Sequence, residues 1–261
     1  MKKHFFFDMD MTLTESTQKI SESMKKAMAR FLNFGADVVV VSGARKEKMI
    51  EQLGATAEEC ALLAQNGNHA ESASGSALWT RELTWIQKYK ILDLLYEVID
   101  LSKVDPLDLV QDRGCQISYS LIGHNADLDL KRKADPTQAH RKAIIESNAG
   151  MFKRLENVGV QCAIGGTTCI DFYTHTKGMN VAEFIKERGW LPEECVYVGD
   201  ALYPGGNDHT VVGVIDTVQV SGPVETENFI KQATELMRGQ MDLEEDDDHC
   251  DDDDEEDDDD L

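Results

Sequence analysis

Three short apolar runs in this chain each stop abruptly on a small or acidic group. Phe5-Phe6-Phe7 ends at Asp8-Met9-Asp10, Val38-Val39-Val40-Val41 at Ser42-Gly43, and Cys195-Val196-Tyr197-Val198 at Gly199-Asp200. Runs that are apolar at every position predict strands buried on both faces, as in a parallel sheet covered by helices. Between the first two runs, Ile20, Met24, Ala27, Met28, Phe31 and Leu32 recur at helical spacing over residues 18–34, with Gly35 as the stop. Residues 44–53 predict a second helix, Met49, Ile50 and Leu53 inward and Gly54 ending it. A strand-helix-strand-helix opening favours parallel pairing and right-handed crossovers. Residues 61–64 are a further short apolar run, ended by Gln65-Asn66-Gly67.

From about Arg81 the period changes. Trp85, Tyr89, Leu92, Leu95, Tyr96 and Ile99 mark a helix, and Asp105-Pro106 breaks it. Residues 114–122 alternate strictly, Cys115, Ile117, Tyr119 and Leu121 against Gln116, Ser118 and Ser120, which predicts a half-buried antiparallel strand. Asp135-Pro136 reads as the N-cap and first turn of a helix reaching about Asn157. Residues 160–164 and 167–173, joined through Gly165-Gly166, read as a hairpin. The core pattern resumes at Lys177-Gly178 with a helix to Arg188 and the Val196 strand. Short strands follow at 211–215 and 217–220, then a helix from Pro223 to about Arg238. The expected fold is therefore α/β: a Rossmann-like parallel-sheet core, residues 1–80 and 175–240, with an inserted α+β cap over 81–174.

Charge modifies this picture at one end only. The net charge of −23 is concentrated in residues 242–261, which hold 16 acids and no Lys or Arg; the remainder carries 33 acids against 26 bases, a net −7. Such a like-charge block predicts a disordered acidic tail over 241–261. The rest has no basic patch, which argues against a nucleic-acid binder. The six cysteines (60, 115, 162, 169, 195 and 250) show no zinc spacing and read as free thiols of a reducing compartment. With no signal-like segment and no run of 18 apolar residues, a cytoplasmic protein without a membrane partner is expected.

The chemistry sits where the strands stop. In doubly wound sheets, ligands bind beyond the carboxyl ends of the strands, which is where Asp8 and Asp10 lie. One carboxylate of such a pair can attack phosphorus and hold a hard cation while the other moves a proton. Ser42 closes the second strand; Gly199-Asp200 and Gly205-Gly206-Asn207-Asp208 follow the third. Lys177 falls next to a helix N-terminus, where a cation is disfavoured, so its placement points to function.

The run from Asp8 to Thr14, Ser42 with Glu51-Gln52-Leu53-Gly54, Lys177, Gly199-Asp200, Pro204-Gly205-Gly206-Asn207-Asp208-His209 and Gly222-Pro223 resemble the haloacid dehalogenase superfamily with the larger, second class of cap. Within it they are most similar to the eukaryotic-type phosphomannomutases. The resemblance spans about residues 5–235. It implies that Asp8 is the nucleophile, forming an aspartyl phosphate, and that Asp10 is the general acid–base, its backbone carbonyl on the metal. Thr12 and Ser42 would donate to phosphoryl oxygens, and Lys177 would offset their charge. Asp8, Asp10 and Asp200, helped by Asn207 or Asp208, would hold Mg²⁺, an all-oxygen site. Arg113, His124 and Asp171 would face a small phosphorylated substrate from the cap, and two copies would pair through their caps. The departures fall on the cap and the edges of the first motif. The family's Arg-Asn-Gly-Met-Leu-Asn segment has no counterpart after Tyr119, and His124, Thr17, Met11 and Ala201 replace two arginines, a glycine and a lysine. With the cap arginines thinned, a Mg²⁺-dependent phosphatase acting on a sugar phosphate is expected, ahead of a phosphomannomutase or a non-catalytic binding protein.

Overall fold

The computed structural model describes residues 2–99 and 106–247. The expected break at Asp105 and residues 248–261 of the acidic tail lie outside them. Strands β1 (His4–Asp8), β2 (Asp37–Val41) and β3 (Ala61–Ala64) alternate with helices α1 (Glu22–Asn33) and α2 (Lys46–Leu53). Helix α1 starts later than its apolar period suggests because the Ser21 hydroxyl accepts the Met24 N–H and caps it there. Two strands that the sequence pattern did not reveal, β4 (His69–Glu71) and β5 (Ala77–Thr80), then extend the sheet.

The cap follows with α3 (Trp85–Val98), α4 (Pro106–Leu109), β6 (Val110–Asp112) and β7 (Gln116–Ser120). Helices α5 (Leu128–Ala134), α6 (Ala139–Ser147) and α7 (Ala149–Glu156) lead to the hairpin β8 (Gln161–Gly165) and β9 (Cys169–Tyr173). The core resumes with α8 (Lys177–Arg188), β10 (Cys195–Gly199), β11 (Asp216–Gln219) and α9 (Pro223–Asp247). Helix α9 runs past Arg238 into the acidic stretch, and only one of the two strands expected between 211 and 220 forms.

The core sheet has the order β11-β10-β1-β2-β3-β4-β5, parallel from β11 to β3 and antiparallel beyond. Strand β1 lies between β10 and β2, so its carboxyl end opens at the topological switch point of a doubly wound sheet. Successive side chains of a strand point to opposite faces. Phe5 and Phe7 accordingly pack with α1, α2 and α9, and Phe6 packs against Phe184 of α8. Full burial of each phenylalanine contributes about 1.5–3 kcal/mol, enough to fix which residue ends the strand at the switch point.

The cap sheet is antiparallel, in the order β6-β7-β9-β8. Ile117 and Tyr119 of β7 pack with Ile91, Leu94 and Leu95 of α3 and with Phe152 of α7. The half-buried strand expected here is instead buried on both faces: Gln116, Ser118 and Ser120 are fully enclosed. Most of their polar face is satisfied within the fold, the Gln116 side-chain oxygen by Asn66 of the core, Ser118 by Asp171 and Ser120 by Thr168, while Gln116 Nε2 is buried without a partner among the described residues. The single helix expected from Pro136 to Asn157 is two helices broken at Asn148. Its proposed cap, Asp135, instead accepts the His140 and Arg141 backbone N–H groups from a position upstream of the helix.

Arg141 is the largest fully buried side chain among the described residues. Its Nε donates to Asp135 at 2.8 Å, and its Nη1 donates to the Gly165, Gly166 and Cys169 carbonyls at 3.0, 3.0 and 3.2 Å. That one guanidinium fixes the β8–β9 turn, and Gly165 leaves the space that the Asp171 carboxylate occupies. Removing one member of such a buried pair typically costs about 3–5 kcal/mol. Arg141→Met should therefore destabilise the protein by that order in urea melts; a loss below about 1 kcal/mol would show that the ion pair does not organise the cap.

Candidate active site

The carboxyl ends of β1, β2 and β10 meet, and the side chains that follow them converge. Asp8, Asp200 and Asp208 each place a carboxylate oxygen within 4.8 Å of the others. Lys177, the first residue of α8, is 1 % exposed and donates to Asp8 Oδ1 at 2.7 Å and to Asp208 Oδ1 at 2.6 Å. The Tyr197 hydroxyl donates to the same Asp208 oxygen at 2.8 Å, and the Ala201 N–H approaches Asp208 Oδ2 at 3.3 Å. Gly199 is required for this approach, since a Cβ there would collide with the Asp208 carboxylate and the Tyr197 ring. The Thr12 hydroxyl points at Asp200 Oδ1, 3.5 Å away. Ser42 is buried at the end of β2, its Oγ accepting the Ala44 N–H.

One ammonium among three carboxylates leaves the site short of positive charge. Burial, opposed by Lys177 and reinforced by Asp208 and Asp200, holds the Asp8 carboxyl well above its ordinary range. Burial, with Asp208 beside it, raises Asp200 to about 6. Burial works against the Lys177 charge, but Asp208 and Asp8 outweigh it and keep the ammonium protonated. Three crowded carboxylates offering only oxygen fit a hard divalent cation such as Mg²⁺.

For Asp10 the expectation was a proton-transfer role, with its backbone carbonyl rather than its side chain on the metal. Its side chain is outside the three-carboxylate cluster; Oδ1 accepts the Thr17 N–H at 2.7 Å and faces the Gln52 amide at 3.4 Å. Thr17 takes a positive φ of 60° to present that N–H. A left-handed β-branched residue is uncommon, and backbone strain of this kind concentrates at functional sites. Met11, where the family has glycine, is also left-handed at φ 62°. Asn207 lies half-buried beside Asp208 on the same turn, outside the carboxylate cluster.

Of the cap residues, Arg113 crosses to the core, its Nη1 3.5 Å from the Gly43 carbonyl next to Ser42. Asp171 is buried and accepts the Ser118 hydroxyl at 2.5 Å; burial raises its pKa although Arg113 pulls it down. His124 is turned inward: its Nε2–H donates to the Ser118 carbonyl, and burial lowers its pKa, so the ring is neutral. It therefore brings no charge to a phosphate.

The sequence reading carried Gln52 in a motif without giving it a role, and gave none to Tyr197, Asn66 or Asn68. Asn66, left-handed at φ 59°, donates to Gln116 of the cap. The Asn68 side chain donates to the Gln65 and His175 carbonyls and accepts the Thr174 hydroxyl and His175 N–H, while its carbonyl accepts the Arg81 N–H. Both connections between core and cap are thereby tied to one residue. The visible signal was Gln65-Asn66-Gly67 closing an apolar run, which reads as a turn and nothing more.

Comparison with known proteins gives a family match over the first part of the chain. Residues 5–102 match the model of the haloacid dehalogenase-like hydrolases. Among solved structures, a haloacid dehalogenase-like hydrolase from Bacillus subtilis superposes with a TM-score of 0.61 at 16 % identity, covering 87 % of this chain and 92 % of the other. Plasmodium falciparum IMP-nucleotidase superposes with a TM-score of 0.67 at 14 % identity, over 90 % of this chain and 63 % of the other. The shared fold is that of the haloacid dehalogenase-like proteins, a parallel core with a cap. The chain is also similar to phosphomannomutases along nearly its whole length. It is 24 % identical to that of Saccharomyces cerevisiae (88 % of this chain, 92 % of the relative) and 27 % identical to that of Encephalitozoon cuniculi (89 % and 93 %).

A carboxylate whose folded pKa is raised holds a proton that the unfolded chain has released. Its contribution to stability is therefore complete below the unfolded value of 3.8 and is lost as pH rises through about 6. A bound cation reverses that loss. Thermal melts with chelator and with Mg²⁺ should thus differ more at pH 7 than at pH 5, and an equal or smaller gap at pH 7 would contradict the reading of Asp200.

Proposed function

We propose that the protein is a Mg²⁺-dependent phosphoryl-transfer enzyme acting on a small phosphorylated metabolite, a sugar phosphate, with hydrolysis as its dominant outcome. The observation that carries this reading is the buried Asp8–Lys177–Asp208–Asp200 cluster at the carboxyl end of β1. Lys177 holds Asp8 Oδ1 and leaves Oδ2 to attack phosphorus. A bond from Asp8 to phosphorus forms as the ester P–O bond breaks, and Asp10 gives its proton to the departing oxygen. Water then attacks the aspartyl phosphate, its proton passes to Asp10, and Asp8 and inorganic phosphate are restored. Thr17 and Gln52 both engage Asp10 Oδ1, which leaves Oδ2 to carry the proton; catalytic hydrogen bonds often tighten only once substrate is bound. Ser42 and Thr12 donate to the phosphoryl oxygens. Mg²⁺ held by Asp8, the Asp10 carbonyl, Asp200 and Asn207 or Asp208 would supply charge neutralisation there.

The preference for hydrolysis rests on the cap. A mutase must grip a sugar bisphosphate through reorientation and keep water out. Here His124 is neutral, Lys131 is engaged with the His124 carbonyl and Arg141 is locked in the β8–β9 turn, so Arg113 is left among the matched cap positions. The mutase is the second reading, favoured by the full-length similarity to phosphomannomutases.

We also infer that two copies pair through the cap. The residues that marked α3 in the sequence are mostly its outer face: Trp85, Tyr89, Leu92 and Tyr96 form one exposed stripe, and the helix buries Ile91, Leu94 and Leu95 instead. Lys88 and Lys90 lie towards one end of α3 and Asp93 and Glu97 towards the other. An antiparallel, two-fold pairing would set opposite charges against each other along the stripe.

Three measurements check these readings. Asp8→Asn should abolish phosphate release without unfolding, and Asp10→Asn should slow it by about 10²-fold or more; wild-type release by pure Asp8→Asn protein would remove Asp8 as nucleophile. With mannose or glucose 1-phosphate and a catalytic amount of the hexose bisphosphate, phosphate release should outpace formation of the 6-phosphate, and the reverse order would establish the mutase. Light scattering should show a dimer that Tyr89→Glu converts to monomer; a monomeric wild type would sink the cap pairing.

A further inference from the structure

The two crossovers between core and cap, residues 81–84 and 173–176, are anchored on the core side by a pair of buried asparagines. Asn68 is fully enclosed, and its amide uses every donor and acceptor it has. Nδ2 donates to the Gln65 and His175 carbonyls, both at 2.9 Å, and Oδ1 accepts the Thr174 hydroxyl and the His175 N–H, both at 3.1 Å. Asn180 of α8 is equally enclosed and donates Nδ2 to the Asn66 carbonyl at 2.8 Å and to the His175 carbonyl at 3.3 Å. Its Oδ1 accepts Arg81 Nη1 at 3.1 Å. Arg81 is held further by its backbone N–H to the Asn68 carbonyl, by Glu183 of α8 and by the Trp79 ring against its guanidinium. Gly67, next to Asn68, lets Asn180 come this close, since a Cβ there would stand 2.5 Å from Asn180 Cβ.

The cap side is fixed just as sharply. Leu83 is buried in the apolar cluster of the cap and donates its N–H to the Gly114 carbonyl at 3.0 Å. Tyr173 pairs with Gln116 and Gln161 inside the cap sheet. Between the two sets of anchors, the first crossover leaves the exposed Glu82 and the second leaves the Tyr173–Thr174 peptide. Immediately downstream, the Thr176 hydroxyl caps α8, and Lys177 begins the helix bonded to Asp8 and Asp208. Thr174, His175 and Thr176 alone separate the cap sheet from that ammonium. Cap movement passed along them would pull Lys177 off Asp8, and a displacement of about 1 Å at a reacting group can cost roughly 10²-fold in rate.

We propose that Asn68, with Asn180, clamps both crossovers to the core, confines the hinge of the cap to Glu82 and the Tyr173–Thr174 peptide, and so keeps Lys177 on Asp8 while the cap opens and closes. The proposal rests on the phosphoryl-transfer reading above, in which the cap moves to admit a substrate. Hinges are a few loop or element-terminal residues that absorb the φ/ψ change, and both of these positions are of that kind. A buried amide network with every group satisfied is rigid, because the low dielectric that strengthens each bond also makes an unpaired group costly. Asn68 touches no reacting atom; it is a positioning residue that acts through His175 on Lys177.

Hydrogen exchange of the full-length protein, read by mass spectrometry, tests the clamp independently of activity. In wild type, residues 174–180 should exchange within about tenfold of residues 181–188 of α8; faster exchange there overturns the proposal whether or not any variant folds. Asn68→Leu keeps the volume and removes the hydrogen bonds. In that variant residues 174–180 should exchange at least about tenfold faster, while cap residues 116–120 and 169–173 stay close to wild type. A smaller acceleration at 174–180, or one spread evenly over the chain, overturns the clamp. With glucose 1-phosphate and Mg²⁺, kcat of the variant should fall at least about tenfold with KM little changed, as misplacement of Lys177 requires. A smaller loss of kcat alongside the faster exchange overturns the link to Lys177. If wild type turns over neither mannose nor glucose 1-phosphate, the phosphoryl-transfer reading fails, and the exchange data still decide the clamp.

Discussion

A single buried ammonium shared between two carboxylates is the constraint on which the rest of the site depends. Lys177 stands at the start of α8, where the helix macrodipole disfavours a cation, and it is enclosed on all sides. It is tolerated because Asp8 and Asp208 sit against it at hydrogen-bonding distance. Stripping a partner from such a group costs about 3–5 kcal/mol, a large share of an ordinary domain's stability. The lysine therefore ties together three separate pieces of the core, the end of β1, the start of α8 and the loop after β10. It also orients one oxygen of Asp8 away from the other.

The topology makes that tie possible. Strand β1 is flanked by β2 and β10 in parallel register, so the three strand ends open side by side. The cap is joined to this arrangement through polar contacts: Asn66 to Gln116, Arg45 to Asp112 and Arg113 to Gly43, with Asn68 binding both connections. Among the described residues, each of the three apolar clusters stays within either the core or the cap. An interface of hydrogen bonds without shared apolar burial can part and re-form at small cost, which suits a site that must admit a substrate and then exclude water.

What was legible in the sequence was what local chemistry dictates. Runs apolar on every residue are buried parallel strands, and their polar stops are strand ends, so Asp8, Ser42 and Asp200 were placed before any contact was known. The Lys177 partners were not legible, because they join residues 169 and 31 positions apart. Strands β4 and β5 were missed because His69–Glu71 and Ala77–Thr80 are too short and mixed to show a period. The α3 stripe located the helix but not its buried face. Aromatic and apolar spacing identifies a helix face without saying what covers it, and here the covered face is the one bearing Ile91, Leu94 and Leu95. Gln116, Ser118 and Ser120 looked solvent-facing since alternation reports polarity alone; Asn66, Asp171 and Thr168, which enclose them, come from distant segments.

The central claim is that Asp8 carries the phosphoryl group during turnover. The most direct measurement is acid quenching during turnover of a phosphate ester with Mg²⁺, borohydride reduction of the acyl phosphate, and mass spectrometry of the peptide containing residues 5–14. The account predicts reduction at Asp8, enriched in the Asp10→Asn protein and absent from Asp8→Asn. Phosphate release with Asp8 unmodified throughout, or the label on another residue, would contradict it.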